Sequence, residues 1–289
     1  MTYAAQQTLS DPARPRSELW RTLLGLALIT GLSLVFALIW LLGQQWASRH
    51  VDLSFLHPAA SPQGLIWTLS TFLCPTLALW IVMRRLHRRR VRSLIGSFAL
   101  ARHQFVRVMA VQAVVVALAM LLPTPGGEDP VLHLSPLVWL VWLPLALVML
   151  VVQIGIEELV FRGYLQSQLA ARFRSPVVWL TVPAVIFALL HLDPSIGPNR
   201  WLVIGVTLAF ALAAGDITAR AGTLGPAIAM HLVNNFTSLF LVGAAGQMEG
   251  MALFIVAIDL SDPTIWPVFL IEAMLILITW LGARIVLRV

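Results

Sequence analysis

Eight long apolar stretches alternate with short polar segments along the chain. A helix needs about 20 apolar residues to cross the roughly 30 Å of hydrocarbon in a bilayer, so the pattern predicts an all-α, polytopic transmembrane bundle of about eight spans. The fourth span is expected to continue as a helix to about Arg172, because helical spacing of apolar residues persists until Ser175-Pro176. The expected spans are approximately 20–46, 64–83, 105–123, 136–157, 176–192, 201–219, 223–243 and 265–286.

Composition supports a membrane protein. Of the 289 residues, 59% are hydrophobic and 11% are charged, whereas a soluble domain carries about 25% charged residues. No loop is long enough to hold a separate domain, so residues 1–289 are expected to form a single integral-membrane domain. The one cysteine, Cys74, excludes an intrachain disulfide and a thiol-ligated metal cluster.

The arginines predict the orientation. They cluster at 14–21, at 84–92 and at 172–174, whereas the opposite loops carry acids such as Asp52 and Glu128. Positive charge collects in cytoplasmic loops, so both termini are expected to be cytoplasmic. The net charge of +6 is better explained by this sorting, or by contact of the 84–92 run with anionic lipids, than by nucleic-acid binding.

Several further expectations follow from the same features. The abundance of Arg, Ala and Leu without any lysine is typical of a GC-rich prokaryotic genome, and a prokaryotic plasma membrane is the expected location. Loop histidines such as His87 are expected to be solvated. Asp216 and Glu272, which lie within spans, are expected to pair with a nearby arginine or to face a cavity. The sequence leaves the oligomeric state open.

The first segment with candidate catalytic residues is Glu157-Glu158-Leu159-Val160-Phe161-Arg162, which follows a strongly apolar run. Ionisable side chains in hydrocarbon are costly and mark functional sites by default. On a helix, Glu158 and Arg162 are four positions apart and can form an ion pair. Glu157 is rotated by about 100° from Glu158, so the two carboxylates are expected to point in different directions and to have different roles.

Two histidines follow on later spans. Phe187 and His191 are four apart, as are His231 and Asn235, so each pair shares one helix face. An imidazole in a partly dry site can hold or transfer a proton near neutral pH. A histidine beside an amide can hold water and stabilise a developing oxyanion.

The three elements together resemble the CAAX prenyl-protease family, the Abi or CPBP group of intramembrane endopeptidases. The pattern of that group is EExxxR, then FxxxH, then HxxxN on three separate helices, and each element occurs here in that order. The resemblance covers mainly residues 150–240, and the expected catalytic core is about 136–243. It implies an all-helical core of about eight spans and cleavage of peptide bonds in or near the membrane.

The resemblance also implies roles for the residues. Glu157 and His191 would activate water, His231 and Asn235 would stabilise the oxyanion, and Glu158 and Arg162 would support them. A competing description of the family is a zinc enzyme, for which the ligands here would be Glu157, His191 and His231. We favour the version that needs no metal. The substrate could be a prenylated protein or another membrane peptide, because no feature of the sequence selects between them.

Other functions remain open at this point. The ion pair and the histidines could simply tie helices together, and the chain could be a proton-coupled transporter or an immunity or scaffold protein without enzymatic activity. Straight helices would also place Glu157 and His191 toward opposite ends of the membrane. We therefore expect bent or extended helices, with a water-filled, cytoplasm-facing cavity between spans four and seven.

Overall fold

The computed structural model describes residues 3–57, 61–122 and 129–289, and in them the chain is a bundle of helices. This confirms the all-α fold. The helices are α1 Gln7–Ser10, α2 Leu19–Ser48, α3 Pro62–Ser70, α4 Leu73–Arg85, α5 Phe98–Ala119, α6 Pro136–Glu158, α7 Ser167–Arg172, α8 Pro176–Leu189, α9 Arg200–Ala221, α10 Gly225–Phe236 and α11 Trp266–Leu287.

Within the described ranges, six helical stretches are long and apolar enough to cross a membrane. The predicted spans 176–192 and 223–243 are shorter: α8 has 14 residues, and α10 together with the π-helical segment Thr237–Leu241 that continues it has 17. At about 1.5 Å per residue, neither helix reaches the roughly 30 Å thickness of the hydrocarbon. The count of eight spans is therefore not confirmed. Residue 123 at the predicted end of the third span, and Glu128, lie outside the described residues.

The helix that carries the glutamates is continuous over Pro136–Arg172, as the apolar spacing predicted. Its middle section, Leu159–Gln166, is a π-helix that begins directly after Glu158. π-helical turns are frequent at functional sites because they widen the helix and redirect side chains. The 37-residue length places Glu157 in the interior of the rod.

A small three-stranded sheet lies between the helices. It consists of β1 Val131–Leu132, β2 Val242–Ala244 and β3 Phe254–Val256, in the order β1-β3-β2. β3 pairs antiparallel with β1 and parallel with β2. The apolar pattern did not predict these strands. They join the segment before α6 to the segments that follow α10.

The core of the bundle surrounds the π-helical section Leu159–Gln166 and the facing sides of α8, α9 and α10. A Cβ atom on Gly225 would overlap the backbone carbonyl of Ala101, so α10 begins in close contact with α5. Gly222 ends α9 in the left-handed conformation, with φ of +70°. Most side chains of α2 and α11 face outward, as expected of helices that contact lipid.

His87 is buried, which contradicts the expectation that it would be solvated. Its Nε2 lies 2.9 Å from the hydroxyl of Tyr164, and its Nδ1 lies 3.0 Å from Nε2 of Gln168. Tyr164 donates onward to the carbonyl of Thr22. A neutral imidazole that donates from Nε2 and accepts at Nδ1 satisfies all three bonds. His87 therefore connects the segment after α4 to the helix that carries the glutamates, and Tyr164 connects that helix to α2.

Burial, and next the positive charge of Arg89, lower the pKa of His87 to about 4. The unfolded chain takes up this proton below about pH 6.5, whereas the folded chain stays neutral until about pH 4. Lowering the pH through this interval should therefore reduce the stability of the wild type by up to about 3 kcal/mol. We expect the apparent Tm in detergent to fall less steeply between pH 7.5 and 5 in His87→Gln.

The matched control is His103→Gln, which changes an exposed histidine of α5. Its Tm should follow that of the wild type across the same pH range. A His87→Gln protein whose Tm falls as steeply as that of the wild type would show that this histidine does not carry the pH dependence.

Candidate active site

The side chains of Glu158, Arg162 and His231 meet in the centre of the bundle. Nη1 of Arg162 donates to Oε1 of Glu158 over 3.0 Å, as the spacing of four residues predicted. Nδ1 of His231 lies 2.8 Å from the same oxygen. All three side chains are buried. Glu158 therefore links α6 to α10 through a charge-assisted hydrogen bond, the strongest kind in a dry interior.

Glu157 reaches the other nitrogen of the same imidazole. Its Oε2 lies 3.6 Å from Nε2 of His231. The two carboxylates were expected to point in different directions, but one histidine lies between them and faces one carboxylate with each nitrogen. Their environments differ, because Glu158 is fully buried whereas the side chain of Glu157 is 15% exposed, and different roles for the two stay a prediction.

An amide chain holds the second oxygen of Glu157. Nε2 of Gln153 donates to Oε1 of Glu157 over 2.7 Å, and Nδ2 of Asn235 donates to Oε1 of Gln153 over 3.1 Å. Asn235 was predicted as a site residue and Gln153 was not. The available signal was its position four residues before Glu157, on the same face of the helix.

The remaining oxygen of Glu157, Oε2, is buried and has no hydrogen-bond partner among the described residues. A buried carboxylate oxygen without a partner is costly. Oε2 of Glu158 is likewise buried without a hydrogen-bond partner among the described residues. Oε2 of Glu157 differs in that it faces a nitrogen, Nε2 of His231, at 3.6 Å.

Aromatic rings enclose the cluster. The guanidinium of Arg162 lies 4.7 Å from the ring centre of Phe187 and 5.8 Å from that of Phe210. The ring of His231 lies 4.9 Å from that of Phe210, edge to face. Arg162 also donates from Nη2 to the carbonyl of Ala211. These rings exclude water and strengthen the electrostatic interactions inside. No sequence signal pointed to Phe210.

His191 is the predicted site residue that does not join the cluster. It lies exposed just past the end of α8, with Nδ1 2.9 Å from the carbonyl of Phe187. Within the described chain, no hydrogen bond or ion pair joins it to either glutamate. Because a carbonyl can only accept, Nδ1 carries the proton and Nε2 is left as an acceptor. The ring of Phe187 contacts both histidines, at 4.8 Å from His191 and 6.1 Å from His231.

The arrangement of these side chains does not fit the zinc set of Glu157, His191 and His231. In the part of the chain that the structure describes, no three His, Cys, Asp or Glu side chains are grouped to hold a metal ion. Both nitrogens of His231 face a carboxylate, and Nδ1 of His191 is bonded to its own helix. The donor atoms therefore do not converge on one point.

The expected cavity between spans four and seven is not confirmed. A cavity of about 360 Å³ adjoins the opposite face of α10 and is bounded by α5, α9, α10 and α11. Glu272 lines this cavity, which agrees with one of the two alternatives predicted for it, that it would face a cavity. Asp216 follows the other alternative, because it pairs with Arg220 at 2.8 Å.

Comparison with known proteins adds one positive finding. Residues 137–237 match the family model described as type II CAAX prenyl endopeptidase Rce1-like. Searches of curated proteins and of solved structures each found no match. The matched range begins at the start of α6 and ends just after α10, and it contains every side chain of the cluster. The match over residues 137–237 therefore confirms the resemblance of this multi-pass membrane protein to the CAAX-protease family.

Proposed function

We propose that this protein is an intramembrane endopeptidase in which Glu157 activates water and His231 stabilises the oxyanion. The Rce1-like domain supports a protease function within the membrane. The observation that carries the proposed mechanism is the buried, unpartnered Oε2 of Glu157, 3.6 Å from Nε2 of His231. A base and a hydrogen-bond donor at this separation can both reach one scissile carbonyl and its attacking water.

In the first step, Oε2 of Glu157 accepts a proton from water while the water oxygen attacks the carbonyl carbon. The carbonyl becomes an oxyanion. When the tetrahedral intermediate collapses, the C–N bond breaks and Glu157 returns the proton to the leaving amine. Gln153 fixes the direction of this carboxylate by donating to its other oxygen, so Oε2 is held toward the reacting atoms.

In the same step, His231 donates from Nε2 to the oxyanion. Its Nδ1 donates to Glu158, which fixes the orientation of the ring. Asn235 supplies a second donor, because its amide has two N–H groups and only one is bonded to Gln153.

This assignment changes one expectation from the family. His191 was expected to activate water together with Glu157, whereas the imidazole nearest to Glu157 is that of His231. His191 lies on the other side of the ring of Phe187 from the cluster, with its Nδ1 bonded to the carbonyl of Phe187. We assign it to the substrate-facing side, where it would assist a second water or the leaving amine.

The substrate is a membrane peptide, with a prenylated protein as one class. Localisation in a prokaryotic plasma membrane, with both termini cytoplasmic, is part of the proposal. The alternative of a transporter or an immunity or scaffold protein predicts no cleavage by a folded protein, which the following experiments detect.

The first test replaces the proposed base. Glu157→Gln keeps the shape of the side chain but removes the group that accepts the proton. Cleavage of membrane-anchored and prenylated peptides by purified protein in detergent should fall by about 10²–10⁴-fold. Glu272→Gln is the matched control, since it removes a carboxylate from another membrane helix, and its activity should stay within a few-fold of the wild type.

The same assay separates the histidines and tests for a metal. His231→Ala should lose more activity than His191→Ala, and a chelator should leave the wild type unchanged. Loss of activity with chelator would replace the proposed mechanism by a metal-dependent one. Full activity of Glu157→Gln, or no cleavage of any peptide by folded wild type, would contradict the proposal.

The second test distinguishes the two glutamates by stability. Glu158→Gln removes the buried partner of Arg162 and leaves a guanidinium without its counter-charge, at a cost of about 3–5 kcal/mol. We expect a lower Tm and lower activity in Glu158→Gln, but an almost unchanged Tm in Glu157→Gln. Equal Tm values for the two variants would argue against separate structural and chemical roles.

The third test concerns Gln153 as a positioning residue. Gln153→Met keeps the volume but breaks both amide contacts, so kcat should fall about 10-fold or more while KM changes little. Gln104→Met removes a buried glutamine of α5 that bonds to Ala221 outside the cluster, and it serves as the control. A fall of similar size in both variants would indicate a general packing effect.

A further inference from the structure

A polar cavity lies at the Arg172 end of the helix that carries the glutamates. Its volume is about 600 Å³, and it is formed where the segment before α2 packs against the end of α7 and the start of α8. Three arginines line it, Arg14, Arg172 and Arg174. No carboxylate lines it in the described part of the chain.

Two of these arginines have no partner of their own. Arg14 is paired with Asp11 at 2.8 Å. Arg172 and Arg174 are exposed, and among the described residues neither makes a hydrogen bond or an ion pair. Both guanidinium groups can therefore donate hydrogen bonds to an anion in the cavity.

A buried amide donor adds an independent observation. Gln6 is only 3% exposed and lies in the wall of the cavity. Its Oε1 accepts from Gln166, but its Nε2 has no partner among the described residues. A buried N–H without an acceptor is costly. Nε2 of Gln6 and the guanidinium groups of Arg172 and Arg174 are all donors, which suits a ligand that is rich in acceptors.

The other walls indicate the kind of molecule that carries those acceptors. Trp179 and Phe173 line the cavity, and Tyr3 packs edge to face against Trp179 at 5.2 Å between ring centres. α8 begins at Pro176 on the rim, with its positive end toward the cavity. The cavity lies where the chain turns between two apolar helices, Pro136–Arg172 and α8, and we expect such a turn to lie near the lipid headgroups.

We propose that this cavity binds a phosphate group, carried by the headgroup of an anionic phospholipid. Guanidinium groups bind phosphate oxygens in pairs, and the aromatic wall contacts the glycerol and the upper part of the acyl chains. The site is separate from the proposed active site and does not depend on proteolysis. A free phosphate offers the same acceptors, so the test includes both sources.

The test measures binding to the purified full chain in neutral detergent, by the dependence of Tm on ligand concentration. The ligands are short-chain phosphatidylglycerol, phosphatidylcholine and inorganic phosphate. We expect phosphatidylglycerol to bind at least about tenfold more tightly than phosphatidylcholine. Arg172→Ala/Arg174→Ala should weaken that binding roughly 10- to 30-fold.

The matched control is Arg102→Ala/Arg107→Ala, which removes the same charge from the exposed surface of α5, away from this cavity. It should keep binding within about threefold of the wild type. Binding of inorganic phosphate with the same loss in the first pair would support the cavity and assign it to a free phosphate. Equal weakening in both pairs, or no binding of any ligand, would overturn the proposal.

A second variant guards against loss of folding. Arg172→Lys/Arg174→Lys keeps the charge but loses the paired geometry of the guanidinium groups, and it should retain part of the affinity. Affinity as high as that of the wild type would show that charge alone is recognised and would contradict a shaped phosphate site.

Discussion

The buried guanidinium of Arg162 is the group on which the centre of the bundle depends. A charge removed from water must be neutralised and hydrogen-bonded, or the fold loses several kcal/mol. Arg162 meets this requirement with Glu158 on its own helix, with the carbonyl of Ala211 on α9 and with the ring of Phe187 on α8. Because Glu158 also bonds His231 on α10, one ion pair fixes four helices relative to one another.

The sequence could predict the contacts that depend on local geometry. The pair of Glu158 and Arg162 follows from a spacing of four on one helix, and so does the pairing of Asp216 with Arg220. It could not predict that both carboxylates reach His231, because that contact joins residues 73 positions apart and depends on how α10 packs. The roles of these side chains stay predictions.

The hydropathy pattern could not predict the number of spans or the burial of His87, and the reasons differ. An apolar run shows that a segment avoids water, but it does not show whether α8 and α10 continue far enough to cross a membrane. The run of arginines around His87 resembles a solvated loop. Its burial arises from Tyr164 and Gln168, which extend from a distant helix to meet it.

The unbroken rod from Pro136 to Arg172 also fixes a distance. Fifteen residues of helix separate Glu157 from Arg172, which corresponds to about 20 Å along the axis. If the arginine end is anchored at the headgroups, the carboxylate is held at a constant depth below them. The helix would then fix the depth of Glu157 in the membrane. A substrate peptide bond would reach Glu157 only if it lies at that depth, so its distance from the membrane surface would contribute to selection together with the substrate sequence.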